Sequence, residues 1–580
     1  MKSNLNIYFL ALALLGAGSV CAQQSSIDAD TVKNKVFVPV DYIPTLSEAF
    51  KISELPTVMD SVPPKPTPDY AVVGRQLPTV YEIDTIKAAK IKGEPLNELY
   101  RSYVKVGAGN YKTSMADVYL NTVRSRTQAL GVRLKHRASS GELDGVGQNA
   151  FSNNAIGVYG RRFLRKHTVS GNLDGSRDVV HYYGYNPSDF QDFSESSTEQ
   201  VYWKWGGQAA IKSFYKDSAQ LNHNVNVGYY NLVDGDDTRE QRVTVDGQLT
   251  RFFNNEQFIL DAGYDFNSVS YPLTNLYGDF LDDNLENNIV KIAPQVVSRG
   301  DKWRLAAGMK AFGQTNFDGT TFHFYPNAYF KYNLIKDIII PYVGVTGGLE
   351  RNTLDQFRQE NPFISGRSVF LRTSNTLYDV YGGFRGAFSS KISFNLQFSR
   401  SRIEDMPMYV NPRLPGTNPL VANNKFRVLY DTVEVINLNA ETSYQMTEKV
   451  KLLLRGDYYS YNTETEFAAW HRPDFAITAS GMYDLRDKVV LRADIFGISS
   501  QLAKSYDPNE GDEAYGNGVY GKRLKGVIDI NLSAEYRYTK QLSAFIQLNN
   551  IAAMRYNRWN NYPTQGFNAL GGLSYKFWKE

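Results

Sequence analysis

From Leu99 to the last residues the chain alternates apolar and polar side chains at every second position, and this constrains its fold more than any other feature. Ile528, Ile530, Leu532, Ala534, Tyr536 and Tyr538 are interleaved with Asp529, Asn531, Ser533, Glu535 and Arg537. After a turn at Thr539 to Gln541 the pattern resumes with Leu542, Ala544, Ile546 and Leu548, and it closes on Phe567, Ala569, Gly571, Leu573, Tyr575 and Phe577. Val243 to Leu249, Leu452 to Tyr458 and Val489 to Ile495 repeat it, although Leu453 breaks the polar side. Each such strand has one greasy face and one ionic face. In a soluble sheet the greasy face needs a second layer, and the sequence offers no helices or partner sheet for that role. Lipid is the simplest cover, so the pattern predicts an all-β protein, a transmembrane antiparallel β-barrel of about 22 strands.

A mean hydropathy of −0.40 and 42% hydrophobic residues look soluble, but a membrane barrel looks the same because half of every strand faces water. The 40 Tyr and 32 Phe suit aromatic belts at the two lipid interfaces. The soluble alternative, a β-propeller, calls for a blade signature at a fixed period, and none is present.

The connections carry a second regularity, tight turns alternating with long loops. Arg124 to Arg126, Lys166-His167, Lys216 to Ser218, Asn254-Asn255, Gly300-Asp301, Ser389-Ser390, Thr447-Glu448, Arg486-Asp487 and Thr539-Lys540 form the tight set. Ser139 to Asn153, Tyr185 to Glu199, Pro272 to Asn287, Asp355 to Ser374, Glu404 to Lys425 and Leu502 to Arg523 form the long set. Both chain ends then fall on the tight side, the periplasm, and the last strand is expected to pair with the first near Leu99 to Gly107.

Residues 1–22 read as a secretory signal: Lys2, an apolar run from Ile7 to Leu15, and a small-residue cleavage site at Val20-Cys21-Ala22. Cys21 is the only cysteine, which leaves a lipid-anchored alternative; cleavage after Ala22 leaves no thiol for a disulfide or a Cys-bound metal. Residues 23–98 are proline-rich, with Val62-Pro63-Pro64-Lys65-Pro66-Thr67-Pro68 extended and short of backbone donors. They read as a periplasmic extension, either a disordered leader or a segment whose Val36 to Val40 patch adds a strand to a periplasmic partner.

Catalytic motifs are absent. The six histidines fall in no metalloprotease pattern, and there is no phosphate loop, nucleophile elbow or dinucleotide fingerprint. His181, near an outer strand end, is the best residue for a barrel hydrolase, and a structural role is the competing reading. No cofactor is expected, and a net charge of +3 argues against a nucleic-acid partner. Acidic groups in the long loops, above all Asp279, Asp282, Asp283 and Glu286, are candidate extracellular cation ligands, with solvated surface charge as the alternative. Asp246, Arg455, Asp457, Arg492, Asp494, Asp529, Glu535 and Arg537 fall on the polar side of their strands and are expected to line the lumen. Both signs are mixed there, so no ion selectivity follows.

Lys92 to Leu96, Tyr103-Val104-Lys105-Val106-Gly107-Ala108-Gly109-Asn110-Tyr111, Leu134-Lys135-His136, Phe151 to Asn154 and Tyr159-Gly160-Arg161-Arg162-Phe163-Leu164 resemble a Bacteroidota outer-membrane family. Its barrels are similar to those of TonB-dependent receptors. These motifs are structural and identify architecture better than activity. Such receptors carry an N-terminal plug domain longer than residues 23–98, so the resemblance implies a barrel without its plug. An unplugged barrel of about 22 strands is wide enough to leak. Its filling is expected from inward-folded loops, the N-terminal extension or a partner. Two functions follow: a porin-like or receptor-like transport barrel for polar solutes, with outer-membrane lipid around it and a surface lipoprotein as a candidate partner; or a non-transporting subunit of an envelope assembly or secretion complex.

Overall fold

The computed structural model describes residues 99–189, 195–215, 220–254, 256–271, 284–412, 424–507 and 511–579. The expected signal, the proline-rich extension and Asp279, Asp282 and Asp283 lie outside them.

One antiparallel sheet of 22 strands runs from Tyr100–Gly109 to Asn568–Lys579 and closes on itself. The last strand pairs with the first from Tyr100↔Lys579 to Gly109↔Leu570, which leaves the sheet without an edge. Glycine closes this seam: Gly107 lies opposite Gly572, where a Cβ would strike the Val106 carbonyl oxygen.

Alternation in the sequence becomes alternation of environment. In the strand Val527–Arg537, Ile528 is 58% exposed and Asp529 only 6%. The outward face carries exposed Leu134, Val158, Leu173, Phe384, Leu396 and Leu491. Exposed rings flank this band at two levels, with Trp203, Trp205, Tyr264, Phe322, Phe324 and Tyr458 toward the long loops and Phe253, Phe258, Trp303, Phe330, Phe388 and Tyr538 toward the tight turns. The steps from Phe322 to Phe330, at about 3.3 Å each and tilted about 40°, rise about 20 Å, close to the ~25 Å apolar band of an outer-membrane barrel.

Tight turns join many of the strands on one side, as after Leu485, where Arg486 and Asp487 have φ angles of 54° and 56° that suit a type I′ turn and the Lys488 N–H donates back to the Leu485 carbonyl. On the other side the strands Ile392–Val410 and Arg427–Thr447 pair out to Val410↔Arg427. The loop expected from Glu404 therefore begins only after Val410. A register shift between Ile403 and Met406, with Asp405 at φ 51°, interrupts the alternation there and hides the strand from a period-2 reading. Leu502 to Arg523 is likewise partly structured, forming most of a small sheet of Gln501–Ser505, Glu513–Gly516 and Val519–Leu524.

The main apolar core lies among the long-loop ends of the strands. Phe357, Ile364 and Val369 from one loop meet Tyr409, Phe426 and Val428 from two strand ends and Trp559 and Tyr562 from another loop. Burying a ring such as Phe357 or Phe426 completely contributes about 2–3 kcal/mol, so this cluster is a folded cap.

Candidate functional site

The loop from Asn352 to Arg372 turns inward. Its helix Leu354–Glu360 is capped by Thr353, whose hydroxyl accepts from the Gln356 N–H at 3.0 Å. The helix is anchored by charge. The buried Glu240 carboxylate accepts from the N–H groups of Leu354 and Asp355, from the Asn267 amide and from the Tyr230 hydroxyl, each at 3.0 Å. Four donors on one carboxylate offset the cost of burying it. Asp355 receives Lys204 Nζ at 2.6 Å and Arg358 at 2.8 Å. Burial alone would raise the Asp355 carboxyl, but these cations hold it below its ordinary range.

Arg358 continues to Asp178 at 2.9 Å, and at the other end of the helix Glu360 accepts from Tyr409 at 2.8 Å and Arg472 at 3.2 Å. Asp178, Lys204 and Glu240 belong to the strands His167–His181, Glu199–Ser213 and Arg239–Phe253. Each lies on the face opposite its strand's exposed apolar residues, so this short helix is bound inside the wall. Tyr409 and Arg472 belong to the region of the strands Ile392–Val410 and Val450–Thr463, well removed around the barrel. The loop thus bridges the interior from one side to the other. Its return limb is held by Tyr182 and Tyr202, which both donate to the Ile364 carbonyl, and by Tyr271, which donates to that of Val369.

The residues expected to line the lumen form two polar groups and one outlier. Register sets Arg492 beside Ser533 and Asp494 beside Asn531, so Arg492, Asp494, Asp529, Glu535 and Arg537 occupy one face of two adjacent strands. Arg537 pairs with Asp484 at 3.3 Å, and Asp494 accepts from Ser480 at 2.6 Å. Asp529 accepts from Tyr556 at 3.3 Å. Arg455 and Asp457 pair with each other at 2.8 Å on a nearby strand. Asp246 lies apart, on the same strand face as Glu240. Glu286 is exposed near the start of Asn284–Arg299, and no metal-holding group of three or more His, Cys, Asp or Glu side chains occurs among the described residues. His181 is buried, its Nδ1 2.8 Å from the Ala150 carbonyl, which is a structural placement.

Between the inward loop and the wall lies a cleft of about 530 Å³, lined by Asn287, Gln314, Phe317, Phe370, Thr373 and Glu404 among others. Neither the cleft nor the charge anchors were foreseen. Thr353 and Gln356 have the spacing of a helix-start capping box, and that signal could have found the helix within its long loop.

No protein-family model and no curated protein matches the chain. Solved structures do match. The siderophore receptor PirA from Acinetobacter baumannii superposes with a TM-score of 0.63 at 10% identity, over 83% of this chain and 81% of that one. The FrpB iron transporter from Neisseria meningitidis (F3-3 variant) gives 0.62 at 10%, over 83% and 82%. The pyoverdine outer membrane receptor FpvA from Pseudomonas aeruginosa PAO1 gives 0.60 at 11%, over 83% and 79%. These are receptors and transporters rather than enzymes. With the outward apolar band, its two aromatic levels and the closed sheet, the likeness identifies the chain as a 22-stranded β-barrel of the bacterial outer membrane, in the fold of these receptors.

Proposed function

We propose that the chain is a transport barrel for polar solutes whose outer mouth is closed by its own Asn352 to Arg372 loop. The observation that carries this reading is the helix Leu354–Glu360 held to widely separated parts of the wall by Glu240, Lys204, Asp178 and Arg472. These ionic contacts are largely buried, so they hold the loop firmly, and a polar solute or water that replaces one partner can release it. The siderophore and iron receptors that share the fold support uptake as the direction. Asp246, Arg455, Asp457, Arg492, Asp494, Asp529, Glu535 and Arg537 are then the polar lining of the path. Purified protein in planar bilayers tests the idea: the wild-type chain should conduct weakly, and a chain with the loop unlatched should conduct more. Silence in both forms overturns it.

The second reading is a non-transporting subunit of an envelope assembly or secretion complex. The folded cap around Phe357 and Phe426 favours it, because a well-packed outer surface can serve as a docking platform. In this reading the partner proteins of the complex meet the long loops or residues 23–98. Extraction in mild detergent separates the two readings: a transporter emerges alone or with a lipoprotein, whereas an assembly subunit brings several partners in fixed stoichiometry.

A further inference from the structure

Three consecutive tight turns of the wall carry cations and, among the described residues, no carboxylate. Arg124 and Arg126 stand in the first, Arg165 and Lys166 in the second, and Lys212 leads into the third, whose Lys216 and Asp217 lie outside the described residues and cancel in charge. Backbone hydrogen bonds join these turns into one rim: the Phe163 N–H donates to the Thr127 carbonyl at 2.9 Å and the Phe214 N–H to that of Lys166 at 2.7 Å. Other tight turns are balanced, since Asp301, Asp337, Glu448 and Asp487 each put a carboxylate next to a lysine. Like charges crowded along the rim repel one another. No described carboxylate meets Arg126, Arg162, Arg165 or Lys166, and the side-chain partner of Arg162 is the neutral Gln128 amide oxygen at 3.3 Å.

These cations stand where the apolar outer face of the wall ends. On the strand Phe151–Phe163, Ile156, Val158 and Arg162 share one face by two-residue spacing, and exposed Leu164 follows them. Val158 lies opposite Leu173, and Gly160 lies opposite Gly171, which pairs in turn with Ala209. Exposed Leu130, Val158 and Leu173 therefore border a shallow floor of small residues directly above Arg162. Lys166 and Lys212 lie over the rings of Tyr215 and Phe214, at 5.4 Å and 5.6 Å from their centroids, as cations do where an aromatic belt meets headgroups. A molecule that fits both parts has a fatty chain for the floor and a negative headgroup for the rim. Guanidinium groups suit a phosphate headgroup, whose oxygens they bind two at a time.

We propose that this rim binds an anionic phospholipid from the leaflet on the tight-turn side, which in outer-membrane barrels is the periplasmic one. Arg162, Arg165 and Lys166 hold its phosphate, and an acyl chain lies over Gly160 and Gly171 between Leu130, Val158 and Leu173. A soluble acidic partner would meet the cations but leave exposed Leu164 and Val169 in water, so lipid is the better match. The bound headgroup neutralises the crowded cations and fixes this side of the barrel at the membrane surface.

The test uses the full chain in detergent micelles, to which dioleoylphosphatidylglycerol or dioleoylphosphatidylcholine is added before gel filtration. Native mass spectrometry then counts the lipids retained per barrel. Phosphatidylglycerol should be retained over phosphatidylcholine by at least about fivefold, the factor that one cation beside an anionic headgroup supplies. Arg162→Gln, Arg165→Gln and Lys166→Gln combined should bring it down to the phosphatidylcholine level. Lys302→Gln, Lys336→Gln and Lys449→Gln combined remove the same charge from other tight turns and should leave retention unchanged. All six side chains are exposed, and heat-sensitive gel mobility reports that each variant keeps its barrel. Equal retention of both lipids by the wild-type chain, or an equal loss in the two triple variants, overturns the proposal. Displacement of the lipid by millimolar inorganic phosphate also overturns it, because the rim would then be an anion site with no preference for lipid.

Discussion

Arg358 and Asp178, 180 positions apart, form an ion pair of 2.9 Å that ties the inward helix to the barrel wall. Arg358 is almost completely buried and also holds Asp355, so it joins the wall carboxylate to one on the helix. Arg358→Gln leaves Asp178 without its cation and Asp355 with Lys204 alone. Loss of one member of a buried ionic group costs about 3 kcal/mol, which shifts the ratio of open to closed loop by about two orders of magnitude. Single-channel recording should show longer and more frequent openings in this variant. Asp178→Asn, which spares the Arg358 to Asp355 pair, should give a smaller change in the same direction. No change in either would deny the loop its role as the closure.

A covalent latch gives the opposite outcome. Ile364 and Phe426 form an isolated parallel bridge where the loop meets the start of the strand wall. The chain's sole cysteine is Cys21, so a pair introduced as Ile364→Cys and Phe426→Cys can be oxidised without competition inside the barrel. Conductance of the Arg358→Gln chain should fall to the wild-type level when this disulfide forms, and should return on reduction. A current indifferent to the redox state would place the conducting path elsewhere.

The wall was legible in the sequence, and the filling was not. Wall residues such as Ile528 and Asp529 obey a local rule, because neighbouring positions on a strand face opposite solvents. The pairing of the last strand with the first follows from closure. The inward helix obeys no such rule. Glu240 on one strand and Leu354 in a loop meet 114 positions apart, and nothing in either neighbourhood marks the other. The strand around Met406 was hidden for a third reason, since its register shift puts two like residues in succession and imitates a loop.

His471 makes the cap sensitive to acid. Its ring is buried, with Nδ1 2.8 Å from the Tyr409 carbonyl and Nε2 accepting from the Asn560 N–H at 3.3 Å, so the neutral form with the proton on Nδ1 fits both contacts. Burial, with Arg472 nearby adding repulsion, lowers its pKa to about 4 from 6.5. A base whose folded pKa lies below its unfolded value contributes full stability above about 6.5, and that stability is lost as pH falls toward 4. The loss approaches about 3 kcal/mol. Hydrogen exchange, corrected for the intrinsic rate, should show the segment 466–474 loosening between pH 7 and pH 4. His471→Gln keeps a donor and an acceptor and should flatten that dependence; an equal slope in the variant would assign the acid response to another group.

Leu173 offers the sharpest test of which face meets lipid. It is 69% exposed in the middle of the strand His167–His181, while its neighbour Asn172 turns the other way and donates to Asp174. If the exposed face is the lipid face, Leu173→Arg places a cation near the bilayer centre at a cost of about 2–4 kcal/mol. Asn172→Arg puts the same side chain on the polar face and should cost less than half as much. Reversible unfolding by denaturant in short-chain phosphatidylcholine vesicles measures both. The order of the two penalties decides the matter, because a soluble sheet with its apolar face merely exposed would accept arginine at position 173 with little or no loss.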